Sequence, residues 1–177
     1  MSYSNYINDF TLTDIGTVVE PVTLAEAKLY CRVTTSVDDT QISLMIKQAR
    51  EAIEVATGLS LIPKTAVVWF TNWDGNFNLP FGPVNSFTSL LDENGDTIVA
   101  ADYFLVGGKF PQLQRPRFAN LKATYVVGYA TIPNDLKIAI LDQVSYDYEN
   151  RGLDGDSGIC EKSWKACQRW TRISPIL

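Results

Sequence analysis

The sequence predicts an α+β fold: antiparallel helices over about 23–33, 38–57 and 133–151, packed with a strand-rich insertion over about 65–127 and followed by a C-terminal helix over about 159–171. Three observations predict it. Apolar residues recur at three- and four-residue spacing in 38–57 and again in 133–151, the period of a helix with one buried face. The residues between are rich in β-branched and aromatic types and are punctuated by Gly, Pro, Asn and Asp, the pattern of short strands and turns. Helix start and stop signals bracket both helical regions. The expected organisation is an N-terminal arm over 1–20, a main domain over 21–152 with its β insertion at 60–130, and a basic tail over 153–177.

Residues 1–20 are polar, with scattered Tyr3, Tyr6, Ile7, Phe10, Leu12 and Ile15, and hold neither period for long. They read either as a frayed terminus or as an extended arm whose aromatics dock on a neighbour. Thr23-Leu-Ala-Glu26 is a capping box, with Thr23 as N-cap and Glu26 reaching back to its backbone. Leu24, Ala27 and Cys31 are expected on the inner face. Asp38 or Asp39 starts the next helix, where a carboxylate suits the exposed N–H groups. Ile42, Met45, Ile46, Ala49, Ile53 and Ala56 form its apolar stripe, and Gln41, Lys47, Gln48, Arg50, Glu51 and Glu54 its outer face. Gly58 is placed to end the helix in the left-handed conformation.

Thr65–Thr71 reads as a strand and 72–76 as a turn. The segment 79–84 cannot be a central strand, because Pro80 and Pro83 donate no ladder bond. A strand over 86–91 meets a sharp turn at 92–96, with 97–99 returning. Further strands are expected at 103–106 and 121–127, separated by Gly107-Gly108 and a loop holding Pro111 and Pro116. Pro133 starts the next helix, with Asn134 or Asp135 as an alternative cap. Leu136, Ile140, Val144 and Tyr148 line its inner face, and Gly152 ends it. The last helix carries an apolar stripe, Cys160, Trp164 and Cys167 with Trp170 nearby, and a basic stripe, Lys162, Lys165, Arg169 and Arg172. It either packs on its own domain or docks on a partner.

Composition narrows the function classes. The 177 residues carry a net charge of −5, so free DNA is not an obvious ligand. The charge is uneven: residues 1–150 hold 10 Lys/Arg against 17 Asp/Glu, and 151–177 hold 5 against 3. No run approaches the roughly 20 apolar residues of a membrane span, and the first residues lack the basic start and apolar core of a signal peptide. There is no histidine, which excludes Ser-His-Asp and Cys-His catalysis and Cys/His zinc patterns. Cys160 and Cys167, seven apart, would stand about 10 Å apart on one helix, beyond a disulfide. Reduced, buried thiols are expected.

The remaining acidic and glycine clusters favour structural readings. Asp92-Glu-Asn-Gly-Asp96 lacks the ligand spacing of a calcium loop and reads as a hairpin turn; Asp154-Gly-Asp-Ser-Gly158 reads as a loop. Gly107-Gly108-Lys109 lacks the rest of a phosphate-binding loop. Asp38 with Asp39, and Asp147 with Glu149, could be imagined as glycosidase carboxylates, but helix capping and a solvated helical face account for them. The four tryptophans, Trp69, Trp73, Trp164 and Trp170, are core or interface anchors. No metal and no cofactor is called for.

Taken in order, several of these segments resemble the phage head–tail connector, or adaptor, family of the portal-proximal, ring-forming type. They are Val22-Thr-Leu-Ala-Glu-Ala-Lys28, the acidic start at Asp38-Asp39, the helix ending Ala56-Thr-Gly58, the Leu79-Pro-x-x-Pro-Val84 turn, Tyr103-x-x-Val106, Tyr125-x-x-Gly128-Tyr129, the run Pro133 to Leu141, and Tyr148-Glu-Asn-Arg151. The resemblance implies a homo-oligomeric ring of about a dozen copies, bound to the portal protein and to tail or neck proteins. It implies double-stranded DNA passing through without sequence reading, no catalysis, and a place at the head–tail junction of the virion after assembly in the host cytoplasm. Another neck or tail-completion ring protein is the alternative within that class; a small carboxylate-based hydrolase is the alternative outside it. Residues 1–20 and 153–177 depart from the family pattern. Partner docking is expected at Lys162, Trp164, Lys165, Arg169, Trp170 and Arg172, and at Tyr3, Tyr6 and Phe10.

Overall fold

The computed structural model describes residues 6–71, 76–115, 120–151 and 158–171. They fall into two compact units, each built from separated stretches of chain: one within Met1–Val18 and Ile62–Ala130, the other within Val19–Leu61 and Thr131–Ile173.

The first unit is built from strands, with one 3-10 turn at Ala100–Asp102. Strands β1 (Tyr6–Asp14), β2 (Lys64–Thr71), β4 (Val84–Leu91) and β7 (Leu121–Val127) form one antiparallel sheet in the order β1-β2-β7-β4. Strands β3 (Asn76–Asn78), β5 (Phe104–Val106) and β6 (Gln112–Gln114) form a second, in the order β3-β6-β5. Alternation in β2 and β7 buries Ala66, Val68 and Phe70 on one strand and Leu121, Ala123, Tyr125 and Val127 on the other. The register sets small against large: Ala66 opposes Tyr125, Val68 opposes Ala123, and Phe70 opposes Leu121. Small-to-large matching of this kind lets a close-packed layer form without overpacking. Tyr125 is fully buried, and its hydroxyl donates to the Pro80 carbonyl at 3.2 Å. Phe70 meets Phe77 of β3 edge-on at 4.4 Å, which ties both sheets into one core.

The N-terminus differs from expectation. Residues Tyr6–Asp14, which showed neither period, are the edge strand β1, paired along their length with β2. The reason is a bulge between Ile7 and Asp9. The extra residue breaks the two-residue alternation, so Ile7, Phe10 and Leu12 share a face at a spacing no simple template matches. Ile7 and Leu12 pack on the core, and Phe10 leans on Phe81 at 4.8 Å. Strand β6 is a second addition, since its three residues follow Pro111 in what reads as loop. The 92–96 turn forms as expected: Asp92 accepts from the Asn94 and Asp96 N–H groups, both at 2.9 Å, and Gly95 takes φ 87°. The returning segment contributes only a bridge, Leu91 to Thr97. Residues 72–75 of the preceding turn and Pro116 lie outside the described residues.

The second unit is helical: α1 (Leu24–Tyr30), α2 (Asp39–Thr57), α3 (Asn134–Glu149) and α4 (Glu161–Cys167). The capping box forms with both reciprocal bonds, and Gly58 closes α2 at φ 68°. Ile42, Met45, Ile46, Ala49 and Ile53 of α2 are buried, as are Leu136, Ala139, Ile140 and Val144 of α3. Two of the expected caps do not act as caps. Asp38 stands at the N-cap position of α2 without a capping bond; its carboxylate accepts from the Tyr148 hydroxyl at 2.6 Å and faces Arg151. The residue before α3 is Pro133, and neither Asn134 nor Asp135 caps it. The helix ends at Glu149 with Asn150 as its C-cap, and Gly152 lies outside the described residues.

Arg50 and Glu54, expected on the outer face of α2, are buried instead. The guanidinium donates to Glu20 at 2.7 Å and to Glu54 at 2.8 Å. The other Glu54 oxygen accepts the Leu61 N–H at 2.7 Å. Burying a charge is costly unless it is paired and hydrogen-bonded, and here the acid from the segment before α1 supplies the missing partner. Among the described residues no helix is long and apolar enough to cross a membrane.

Three outcomes follow. Gly128 has φ +112°, and an added Cβ would stand 2.1 Å from the Ile62 carbonyl oxygen and 2.9 Å from the Pro63 Cα. Gly128→Ala is therefore expected to cost at least about 3 kcal/mol, measured by urea unfolding. Arg50→Ala leaves two acids facing a buried gap and is expected to cost about 3–5 kcal/mol by the same assay. The Lys137 ammonium, at 2.6 Å, and then the Thr23 backbone and hydroxyl donors hold the Glu26 carboxyl down to about 2, against an ordinary 4.5. A depressed acid contributes stability above its unfolded value and loses it as pH falls through its folded value. The stability gap between the native chain and Glu26→Gln should thus be widest near neutrality and close between pH 4.5 and about 2, read as unfolding midpoint against pH.

Candidate interaction surface

The surface expected from the sequence centres on α4, and its geometry starts from what α4 buries. Ser163 and Cys167 are fully buried. The Ser163 hydroxyl donates to the Ala139 carbonyl of α3 at 2.7 Å. Cys160 stands at the N-cap, where its backbone N–H donates to the Gln143 side chain at 2.8 Å. The inner stripe is thus Ser163 and Cys167, with Cys160 half-buried at its start, and Trp164 is turned outward, 37% exposed. Ser163 takes the inner position, where the α3 backbone carbonyl satisfies its hydroxyl.

The basic stripe is engaged by the chain's own acids. Lys162 pairs with Asp142, Lys165 with Glu161 at 2.5 Å, and Arg169 with Asp135. Asp142 is the surprise. It lies buried on α3 and accepts from the Tyr30 hydroxyl at 2.5 Å as well as from Lys162. The Lys162 ammonium also sits 5.6 Å from the Tyr30 ring centroid. The bond to Asp142, then the one to Tyr30, raises the lysine above its ordinary value. The same carboxylate, helped by burial, raises the tyrosine. This cluster joins α1, α3 and α4. Its warning in the sequence was slight: an acid beside an apolar stripe, with partners 112 and 20 positions away.

Asp135, Ile138, Lys165, Ala166 and Arg169 line a shallow cleft of about 190 Å³ between α3 and α4. Ile138, 46% exposed, was not singled out by the sequence. The Arg169 guanidinium lies 5.8 Å from the Trp170 ring, and the Trp170 indole N–H is buried without a hydrogen-bond partner among the described residues. Tyr6 opens β1, and Phe10 lies in its middle on the other unit. Tyr3 and Arg172 lie outside the described residues.

The carboxylate pairs that a hydrolase would use are occupied separately. Asp38 is bound by Tyr148 and Arg151, whereas Asp39 pairs with Lys28 at 2.5 Å. Asp147 accepts from Gln143 at 2.9 Å, and burial raises its carboxyl above the ordinary value. Glu149 instead accepts from Ser145 at 3.4 Å. Cys31, Cys160 and Cys167 are all free thiols.

Comparison with known proteins adds to this geometry. The family described as phage gp6-like head-tail connector protein matches residues 21–94. No curated protein matches by sequence. A chain from the neck of an empty gene transfer agent (GTA) particle, computed with C6 symmetry, is 22% identical and superposes with a TM-score of 0.71, over 94% of this chain and 97% of that one. A chain of the native gene transfer agent virion is 23% identical, with a TM-score of 0.69 over 93% and 97%. A chain from the native neck, computed with C12 symmetry, is 19% identical, with a TM-score of 0.70 over 94% and 97%. Residues 21–94 are thus similar to the gp6-like phage head-tail connector family, and the chain as a whole has the fold of those particle proteins.

Proposed function

We propose that this chain is a structural virion protein that forms an oligomeric ring between portal and tail, continues the DNA channel and presents the surface on which the tail docks. The observation that carries this reading is the connector-family match over 21–94 within a fold shared, nearly end to end, with chains of a particle neck. Closed cyclic assembly needs one heterologous interface, made of two different surfaces on each copy. A ring of about a dozen copies is the expected size; the C6 and C12 symmetries of the related necks support a closed cyclic arrangement. The role assigned is assembly, not catalysis, with the portal protein and tail or neck proteins as partners. The site is the head–tail junction of the virion, reached after assembly in the host cytoplasm.

Partner docking is assigned to the outer side of α4, where Trp164 is exposed among Lys162, Lys165 and Arg169, and to Trp170 and Arg172, which follow in sequence. Exposed aromatic anchors ringed by charge are the usual centre of such contacts. Tyr3, Tyr6 and Phe10 are assigned a second contact through the start of the chain. The acidic balance of residues 1–150 suits a conduit that must let double-stranded DNA slide, since each phosphate contact adds affinity and drag. A different neck or tail-completion ring is the competing reading, because the related structures name a neck without naming a level in it.

The test is the solution mass of the purified chain, alone and with its portal ring. A portal-dependent rise to about a dozen copies is expected, and Trp164→Asp should weaken it while leaving the circular dichroism unchanged. A chain that neither assembles nor binds portal, yet assembles on a tail component, would move it to the competing level. Failure with both would sink the reading.

A further inference from the structure

Strand β5 is an edge of the three-stranded sheet, and all three of its residues face solvent: Phe104 at 63%, Leu105 at 38% and Val106 at 50%. Val99 and Phe110, on either side in sequence, are also exposed. Edge strands are normally defended by a charge, a proline or a bulge on the strand itself, because their free backbone groups recruit other strands. β5 is only three residues long but carries no charge, proline or bulge, and on its outer side it has no ladder partner among the described residues. Charge appears only at its two ends. Asp102 precedes the strand, Lys109 follows it, both are exposed, and neither side chain forms an ion pair among the described residues.

We propose that the free chain pairs with a second copy of itself through β5, antiparallel and about a two-fold axis, merging two three-stranded sheets into one of six. The ends of the strand select this occupant and its direction. Antiparallel pairing brings the Asp102 end of each copy to the Lys109 end of the other, making two opposite-charge contacts. Parallel pairing would set acid against acid and base against base, which is unfavourable. With the axis at Leu105, each Leu105 faces its equivalent and each Phe104 faces the second copy's Val106. Aromatic against β-branched is a favourable cross-strand pair. The pair uses the same patch on both copies and closes at two, so it is distinct from the head-to-tail contact of a ring and does not rest on the ring reading. It covers an aggregation-prone edge while the chain is unassembled.

Sedimentation equilibrium of the full chain, over a range of concentrations and without portal, tests this. A monomer–dimer equilibrium is expected. Asp102→Lys and Lys109→Asp should each weaken it about tenfold, as two contacts turn from attraction to repulsion. An equimolar mixture of the two variants should recover the dimer, because every contact between unlike copies is again of opposite sign. Leu105→Lys should leave a monomer, with circular dichroism confirming that each variant is folded. A monomer at every concentration, an assembly indifferent to the reversals, or no recovery on mixing would each overturn the proposal.

Discussion

The helical unit turns on a buried guanidinium. Arg50 lies in the second half of α2 with its side chain almost entirely excluded from water. An unpaired charge there would be untenable, so the surrounding chain is arranged to answer it. Glu20 must come in from the segment before α1, and Glu54 must stand one turn further along α2. Glu54 then has an oxygen left over, and the Leu61 N–H takes it. Three stretches of chain are held in one geometry by this demand: the entry to α1, the end of α2 and the exit after Gly58. Replacing such a set with apolar side chains of equal volume is often no less stable. Its value lies in directionality, because a carboxylate–guanidinium bond admits far fewer arrangements than an apolar contact.

The β unit obeys a different constraint, one of volume. Tyr125 is a large residue in the middle of β7, and Ala66 across from it on β2 makes room. Phe87 on β4 then stacks parallel to the Tyr125 ring at 6.2 Å. Register is therefore chosen by packing and enforced by the close approach of Gly128 to Ile62 and Pro63, where no other residue fits. A one-residue slip would turn every buried side chain of β7 to the opposite face.

Local signals were legible, and partners distant in sequence were not. The capping box, the apolar stripe of α2, the left-handed Gly58 and the strands β2 and β7 follow from short spacings that the chain states openly. Strand β1 was hidden by its bulge, which removes the alternation by which a strand is recognised. Arg50 and Glu54 looked like a solvated pair at helical spacing, since nothing nearby reveals that Glu20, 30 positions earlier, will close over them. The α4 surface was half legible. Its basic residues could be read from the sequence, but the acids that pair with Lys162 and Arg169, Asp142 and Asp135, sit on a helix more than 15 residues earlier. Ser163, which the apolar pattern did not mark, takes the inner position because its hydroxyl reaches the Ala139 carbonyl.

The two units are threaded through one another in sequence, and this orders the events of synthesis. β1 leaves the ribosome first but has no strand to pair with until β2 follows, some 50 residues later. α1 and α2 emerge in between, with their apolar faces lacking α3 until all the strands are made. The β sheet can close once β7, which pairs with both β2 and β4, is out. The helices must wait for α3, and α4 comes later still. The nascent chain thus carries a waiting apolar helix pair while strands β2 to β7 are being made, and that interval is when it most needs protection from its neighbours.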